Sequence, residues 1–264
     1  MRPEAEVGGL SEVLLHDGTF EGFLSLVFSC VRLRIPVRDV HASSRHAPSL
    51  LDEPQTISTD LALAERVWEG LRKKGGDDIA AMVHGAFLSE LPGIDTALWH
   101  FLRKLFANSD GSRGRNMLDE HVHAVYCAAQ KTSHEAHLFQ GFVRFCQAPD
   151  GSMFSVIAPD HNILPLLAPH FLARYPDVTW LIADSGRGLC LGSDGTTARI
   201  QACEPALLPS NAADVARLAA GEDARFRDLW LAYYDAINIV ERRNTKQMTR
   251  FLPRKYWRYL PERA

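Results

Sequence analysis

Between Arg242 and Arg258 the chain interleaves cations with rings. Arg242, Arg243, Lys246, Arg250, Arg254, Lys255 and Arg258 stand among Phe251, Tyr256, Trp257 and Tyr259. Lys and Arg neutralise phosphates with release of counterions, and aromatic faces stack on unpaired bases. That mixture is the chemistry a single-stranded or distorted nucleic acid requires. Residues 242–264 hold eight Lys/Arg against one acid, Glu262, a net charge of +7. The remaining 241 residues therefore carry −10 of a formal total of −3. Such a split marks a contact surface for an anion. The same residues also have a structural use: the rings pack the segment onto its own domain while the cations stay solvated. Pro253 and Pro261 favour that docked, irregular ending, and the two uses are compatible.

Four further residues have the types that acid–base chemistry needs. Asp17 lies between a strand pattern and a helix pattern, and so does the pair Asp160-His161. In the bland reading Asp160 is the N-cap of the helix that follows and His161 an ordinary first-turn residue. Asp184 and Arg187 flank the turn DSGRG, where a hairpin explains both without function. Among the histidines, His121 and His123 are two apart and face nearly opposite sides of a helix. His134 and His137 could share a face, but no carboxylate or Cys stands at zincin-like spacing, so no metal site is expected. Arg113 and Arg115, in the loop-like stretch NSDGSRGRN, are minor candidates for phosphate contact.

Other chemistries are disfavoured. There is no G-x-S-x-G, no cysteine with a helix-start or His neighbour, no P-loop and no strand–G-x-G-x-x-G–helix unit. The five cysteines are odd in number and widely spaced, as expected of reduced thiols in the cytoplasm rather than a disulfide framework. The N-terminus has no signal-peptide pattern, and no apolar run is long enough to span a bilayer.

These residues must be positioned by a mixed set of elements. LSEVLLHDG reads as a strand ending at Asp17-Gly18, and Thr19 opens the helix FEGFLSLVFSCVRL. RDVHASSRHAPSLLDEPQTIST reads as loop followed by a short strand around Gln55–Ser58. Asp60 caps LALAERVWEGLRKKG, which Gly75-Gly76 closes. Helices are expected at about 79–89, 94–106 and 117–131, so residues 59–135 form a helical block. GFVRFCQ and MFSVIAP read as a hairpin, DHNILPLLAPHFLARY as a helix, and TWLIADS, GLCLGS and TARIQAC as three more strands. A helix over 224–243 precedes the basic tail. The fold class expected is α+β, with small antiparallel sheets beside a helical block. The chain is read as one unit over 1–264, with sub-regions 1–58, 59–135, 136–204 and 205–264.

Several of these segments together resemble a bacterial family of DNA-metabolism and DNA-repair proteins built on a domain of unknown function (domain of unknown function 4130). The matching pieces are HDGTFEGFLSLVF, ISTDLALAERVWEGL, HLFQGFVRF and APDHNILPLLAPHFLARYPDVTWLIADSGR, then DLWLAYYDAINIVERRN and FLPRKYWRYLPE. They run from about Val13 to Glu262. Near the start the matching positions include Asp17, Gly18, Phe20 and Gly22. Later ones include His137, Arg144, Asp160, His161, Asp184, Tyr256 and Trp257. The resemblance implies work beside a radical-SAM protein of DNA modification or repair, and some members are fused to a uracil-DNA-glycosylase-like domain. It transfers no catalytic role. The clustered cysteines of an iron–sulfur site are lacking, so radical chemistry would belong to the partner and no cofactor is expected here.

The leading expectation is an accessory protein that binds nucleic acid, DNA more than RNA. A base-modifying or glycosylase-like enzyme using Asp17, Asp160, His161 or Asp184 is the alternative. An adaptor whose tail docks the radical-SAM protein is the third.

Overall fold

A computed structural model describes residues 12–47, 53–107, 116–148, 150–203, 214–215, 249 and 252–261. The expected helix over 224–243, Arg242, Arg243, Lys246 and Arg250, and the loop bearing Arg113 and Arg115 lie outside them. The chain divides into two compact units, Met1–Thr132 and Ser133–Ala264.

In the first unit β1 (Glu12–His16) is the central strand, between β2 (Val37–Ala42) and β3 (Gln55–Thr56). Both pairings are parallel. Parallel neighbours need a crossover, and α1 (Phe20–Leu33) supplies the one from β1 to β2. Thr19 caps α1 by accepting from the Gly22 N–H at 2.9 Å, and Arg34 ends it in the left-handed conformation. Phe23, Leu24, Leu26, Val27 and Cys30 form its buried stripe. Helices α2 (Leu61–Gly75), α3 (Asp77–Phe87) and α4 (Ile94–Ala107) complete the block. Asp60 caps α2 as expected, accepting from Ala62 and Leu63 N–H.

Strand β2 stands where a loop was expected. Only Val40 and Ala42 of its six residues are buried, too few for an alternating signature. Its free edge is closed by α4. Val40 N–H donates to Thr96 Oγ1 at 2.9 Å, and Ala42 N–H to Asp95 Oδ2 at 3.1 Å. Side chains thus satisfy backbone donors that an open edge would leave exposed.

Helix α5 (Glu120–Phe142) is longer than its sequence pattern suggests, and its residues from Ser133 onward belong to the second unit. There five strands lie in chain order: β4 (Cys146–Gln147), β5 (Met153–Ile157), β6 (Trp180–Asp184), β7 (Leu189–Ser193) and β8 (Ala198–Ala202). The β4–β5, β6–β7 and β7–β8 pairs are the expected antiparallel hairpins. The β5–β6 pair is parallel, because α6 (Leu164–Arg174) carries the chain back between them. The mixed α/β class with small sheets therefore holds. Strand direction is corrected in the whole first sheet and at this pair of the second.

Alternation sets the two faces of the second sheet. Ile157, Trp180, Ile182 and Leu191 pack with Phe139, Leu164, Leu167 and Phe171 of the helices. The opposite face carries Val156, Ala183 and Cys190, covered by Val215 and flanked by Phe154, Leu181 and Tyr259. Among the described residues no helix is long and apolar enough to cross a membrane.

Candidate nucleic-acid interface

Parallel β5 and β6 end at the same side of the sheet, which brings Asp160 and His161, just past β5, near Asp184, the last residue of β6. Asp184 is fully buried. Its Oδ1 accepts from the Gly186 and Arg187 N–H groups, and its Oδ2 from Arg187 Nη1 at 2.9 Å. Burial pushes its carboxyl above the ordinary value, and the attraction of Arg187 only partly offsets this. Arg187 also reaches across to the Pro159 carbonyl at 3.1 Å and the Asp160 carbonyl at 2.7 Å. One guanidinium thus clasps the two strand ends, a use its place in a hairpin turn does not reveal.

Asp160 is not the N-cap of α6. The helix begins four residues later, with Ile163 at the cap and no side-chain cap bond. The Asp160 and His161 N–H groups instead donate to the two carboxylate oxygens of Glu135, each at 2.8 Å. Glu135, on α5, is 4% exposed and also accepts the Tyr256 hydroxyl at 2.5 Å. Sequence reasoning missed Glu135. Its only signal was a lone acid three residues before Leu138-Phe139, which is indistinguishable from a solvated helix position.

That carboxylate anchors the tail. Residues Arg254–Tyr259 form a 3₁₀ helix. Tyr256 is buried with its ring edge-on to Phe139, 4.9 Å between centroids. Burial, then the bond to Glu135, holds its phenol far above the ordinary range. Lys255 is ion-paired with Asp160, and Tyr259 donates its hydroxyl to Ser185 Oγ at 3.0 Å. A 3₁₀ helix repeats every three residues, so Tyr256 and Tyr259 point inward together. Arg254, Lys255 and Arg258 are exposed, and Trp257 is half-buried. Arg254 sits over the Trp257 ring at 5.8 Å and Arg258 over the Tyr259 ring at 5.6 Å. Of the expected binding residues, Tyr256 is thus committed to packing, while three cations and Trp257 reach the surface.

Asp17 belongs to the first unit. Its Oδ1 accepts from Thr19 N–H and Thr19 Oγ1, and its Oδ2 from Thr59 Oγ1 at 2.7 Å. Burial pulls its carboxyl upward, but these hydrogen bonds prevail and hold it below the ordinary value. The carboxylate lies on the first turn of α1, where a Cβ at Gly22 would stand 2.1 Å from Asp17 Oδ1. Nearby, His16 is fully buried and accepts the Gly18 N–H at Nδ1, which leaves the ring proton on Nε2. Nε2 is 3.5 Å from Asp95 Oδ2, too far for a well-formed hydrogen bond. Asp95 is paired instead with Arg45, at 3.0 and 3.3 Å. These groups tie strand ends to helix starts.

On α5, Cys127 Sγ lies 3.5 Å from His123 Nε2, so one cysteine does have a His neighbour, at helical i, i+4 spacing. His121 stacks on His100, with centroids 4.4 Å apart.

The fold and site define a mixed α/β protein whose second unit carries a cationic and aromatic segment docked on the buried carboxylate of Glu135 and the exposed one of Asp160. The chain belongs to the family of the Domain of unknown function DUF4130, whose model matches residues 92–262, well over half of its length. The match takes in α4, α5, the whole second sheet and the tail, and Asp17, Gly18, Phe20 and Gly22 lie ahead of it. Searches of the curated proteins and of the solved structures returned no match.

Proposed function

We propose that this chain is a cytoplasmic DNA-metabolism accessory protein that grips single-stranded or distorted DNA beside a radical-SAM partner. The observation that carries this reading is the docking of the tail. Tyr256 on Glu135 and Lys255 on Asp160 dock it, and the docked segment leaves Arg254 and Arg258 exposed and Trp257 half-exposed. Preorganised cations and a ring lose little entropy on meeting a phosphate and a base. A strand bound this way loses affinity steeply as salt rises, and intact duplex, whose bases are stacked, binds less well. Anisotropy titrations of a labelled oligonucleotide test it. Arg254→Ala, Arg258→Ala and Trp257→Ala should each weaken binding, the arginine changes reducing the salt slope by about one apiece. Indifference to all three removes the reading. If the tail docks the radical-SAM partner instead, those variants lose co-purification that persists after nuclease treatment.

One observation favours a second reading, a base-modifying or glycosylase-like enzyme: Asp160, His161 and Asp184 lie at one end of a parallel strand pair, a usual location for ligands in α/β sheets. Base release from a lesion-bearing oligonucleotide, abolished in Asp160→Asn or Asp184→Asn, would replace the binding reading with this one.

A further inference from the structure

The face of the second sheet opposite its helices has a row of residues set directly across four strands. Phe154 of β5 is registered with Leu181 of β6, Leu181 with Gly192 of β7, and Gly192 with Arg199 of β8. Neighbouring strands lie about 4.8 Å apart, so this row spans roughly 14 Å from the Phe154 backbone to the Arg199 backbone. Its third position has no side chain. A Cβ built on Gly192 meets nothing within 4 Å, and Gly192 is not among the glycines with positive φ. Neither close packing nor backbone strain therefore calls for glycine there. A glycine inside a strand weakens it, and one use that offsets the loss is the close approach of a ligand. Around that gap lies an open cleft of about 750 Å³, lined by Phe154, Leu181, Gly192, Arg199 and Gln201 and bordered by the β4–β5 and β7–β8 turns, both at the end where β5 and β6 begin. Phe154 and Leu181 are half-buried, while Arg199 and Gln201 are exposed.

The next row along the same face is Val156, Ala183, Cys190 and Gln201. Val215 covers its apolar members, and the tail residue Tyr259 packs against them. The cleft and the docked tail therefore share one face of the sheet, one row apart, with Val215 over the row between them. Its chemistry also fits one occupant. The row offers a ring and an apolar floor for a flat face, a cation at the far side and an amide beside it. Asp194, the acid at the cleft's rim, is turned to its own loop, accepting from Thr196 and Thr197 N–H at 2.9 and 2.8 Å.

We propose that the cleft over Gly192 receives an unpaired base of the nucleic-acid strand held by the tail, with Phe154 stacking on the base, Arg199 pairing a phosphate and Gln201 reading the base edge. The proposal rests on the nucleic-acid reading above. It adds a second contact, so one strand engages both the tail's Arg254 and Trp257 and the sheet's cleft.

The decisive variant is Gly192→Val. A β-branched side chain suits a strand and meets open space, so far-UV dichroism and melting temperature should be unchanged or improved while the cleft is filled. Binding of a single-stranded oligonucleotide, read by anisotropy, should weaken on the order of tenfold, and by a similar factor in Phe154→Ala, since base–aromatic stacking has that magnitude. Arg199→Ala should lower the salt slope by about one. Placing an abasic site at the bound position should cost the wild type that same factor and cost Gly192→Val nothing further. If all three cleft variants bind like wild type while Arg254→Ala and Trp257→Ala weaken binding, the cleft proposal falls and the tail reading stands. If neither set matters, both fall. Weakening in the cleft variants that the abasic oligonucleotide does not reproduce shows that the cleft holds something other than a base, and overturns the proposal.

Discussion

Each unit buries an aspartate that receives an arginine near the end of a parallel strand, yet the two are held in opposite senses. Asp95 in the first unit lies below its ordinary value of 3.8: burial raises it, but His16, Arg45 and the Ala42 N–H together outweigh burial. Asp184 in the second lies above 3.8, because burial outweighs Arg187 and its own turn. The difference is in the partners: Asp95 has His16 ahead of Arg45 and the Ala42 N–H, whereas Asp184 has only Arg187 and its own turn against burial. Arg45 Nη2 donates to both oxygens of the Asp95 carboxylate, whereas Arg187 divides itself between Asp184 and the carbonyls of Pro159 and Asp160. The first unit thus uses its buried charge as a lock. The second uses it to hold two strand ends in place beneath the tail.

The comparison can be broken most forcefully at Glu135. Glu135→Ala leaves two backbone N–H groups and the Tyr256 hydroxyl without their acceptor, and should cost the second unit on the order of 3 kcal/mol. Denaturant melts give the loss, and hydrogen exchange should place it at the 158–161 loop and the tail, with the first unit's exchange unaltered. A uniform loss across both units would show that Glu135 does not act locally.

Next in size is Gly22→Ala. The new methyl would displace the Asp17 carboxylate from Thr19 and Thr59, with a cost of about 1–3 kcal/mol. The double variant Gly22→Ala/Asp17→Ser should recover part of it. Equal stability of the single variant and the wild type would remove Asp17 from its role as a staple.

Acid sharpens the contrast further. Asp95 has a depressed folded value, so it contributes stability above 3.8 that is lost as pH falls through that depressed value. Asp184 has a raised folded value, so its burial costs stability above that value, and the cost is relieved as pH falls from it toward 3.8. Exchange rates measured against pH should show the second unit gaining a little stability on entering that window, with the slope absent in Asp184→Asn. Asp95→Asn should instead flatten the first unit's loss at lower pH. Slopes of one sign in both units would refute the contrast.

The smallest effect belongs to the exposed face of the tail. Arg254→Ala and Arg258→Ala should change melting by less than about 0.5 kcal/mol, because exposed cations over rings contribute little to folding. A larger loss would mean these side chains are part of the packing.

The sequence by itself determined what local pattern controls. Thr19 and Asp60 mark helix starts, Asp17-Gly18 and DSGRG mark turns, and alternation marks β5 through β8. It also determined the composition of the tail, since charge and rings can be counted without a fold. What it left open depends on partners distant in the chain. Strand β2 exists because β1 and α4 satisfy its edges, and β5 and β6 are parallel because α6 turns the chain between them. Asp160 faces Lys255 instead of capping a helix, and Glu135 becomes an anchor only when Tyr256, 121 residues later, reaches it. A buried charge is stable only beside its compensating groups, and where those groups lie is decided by tertiary packing, which no local spacing records.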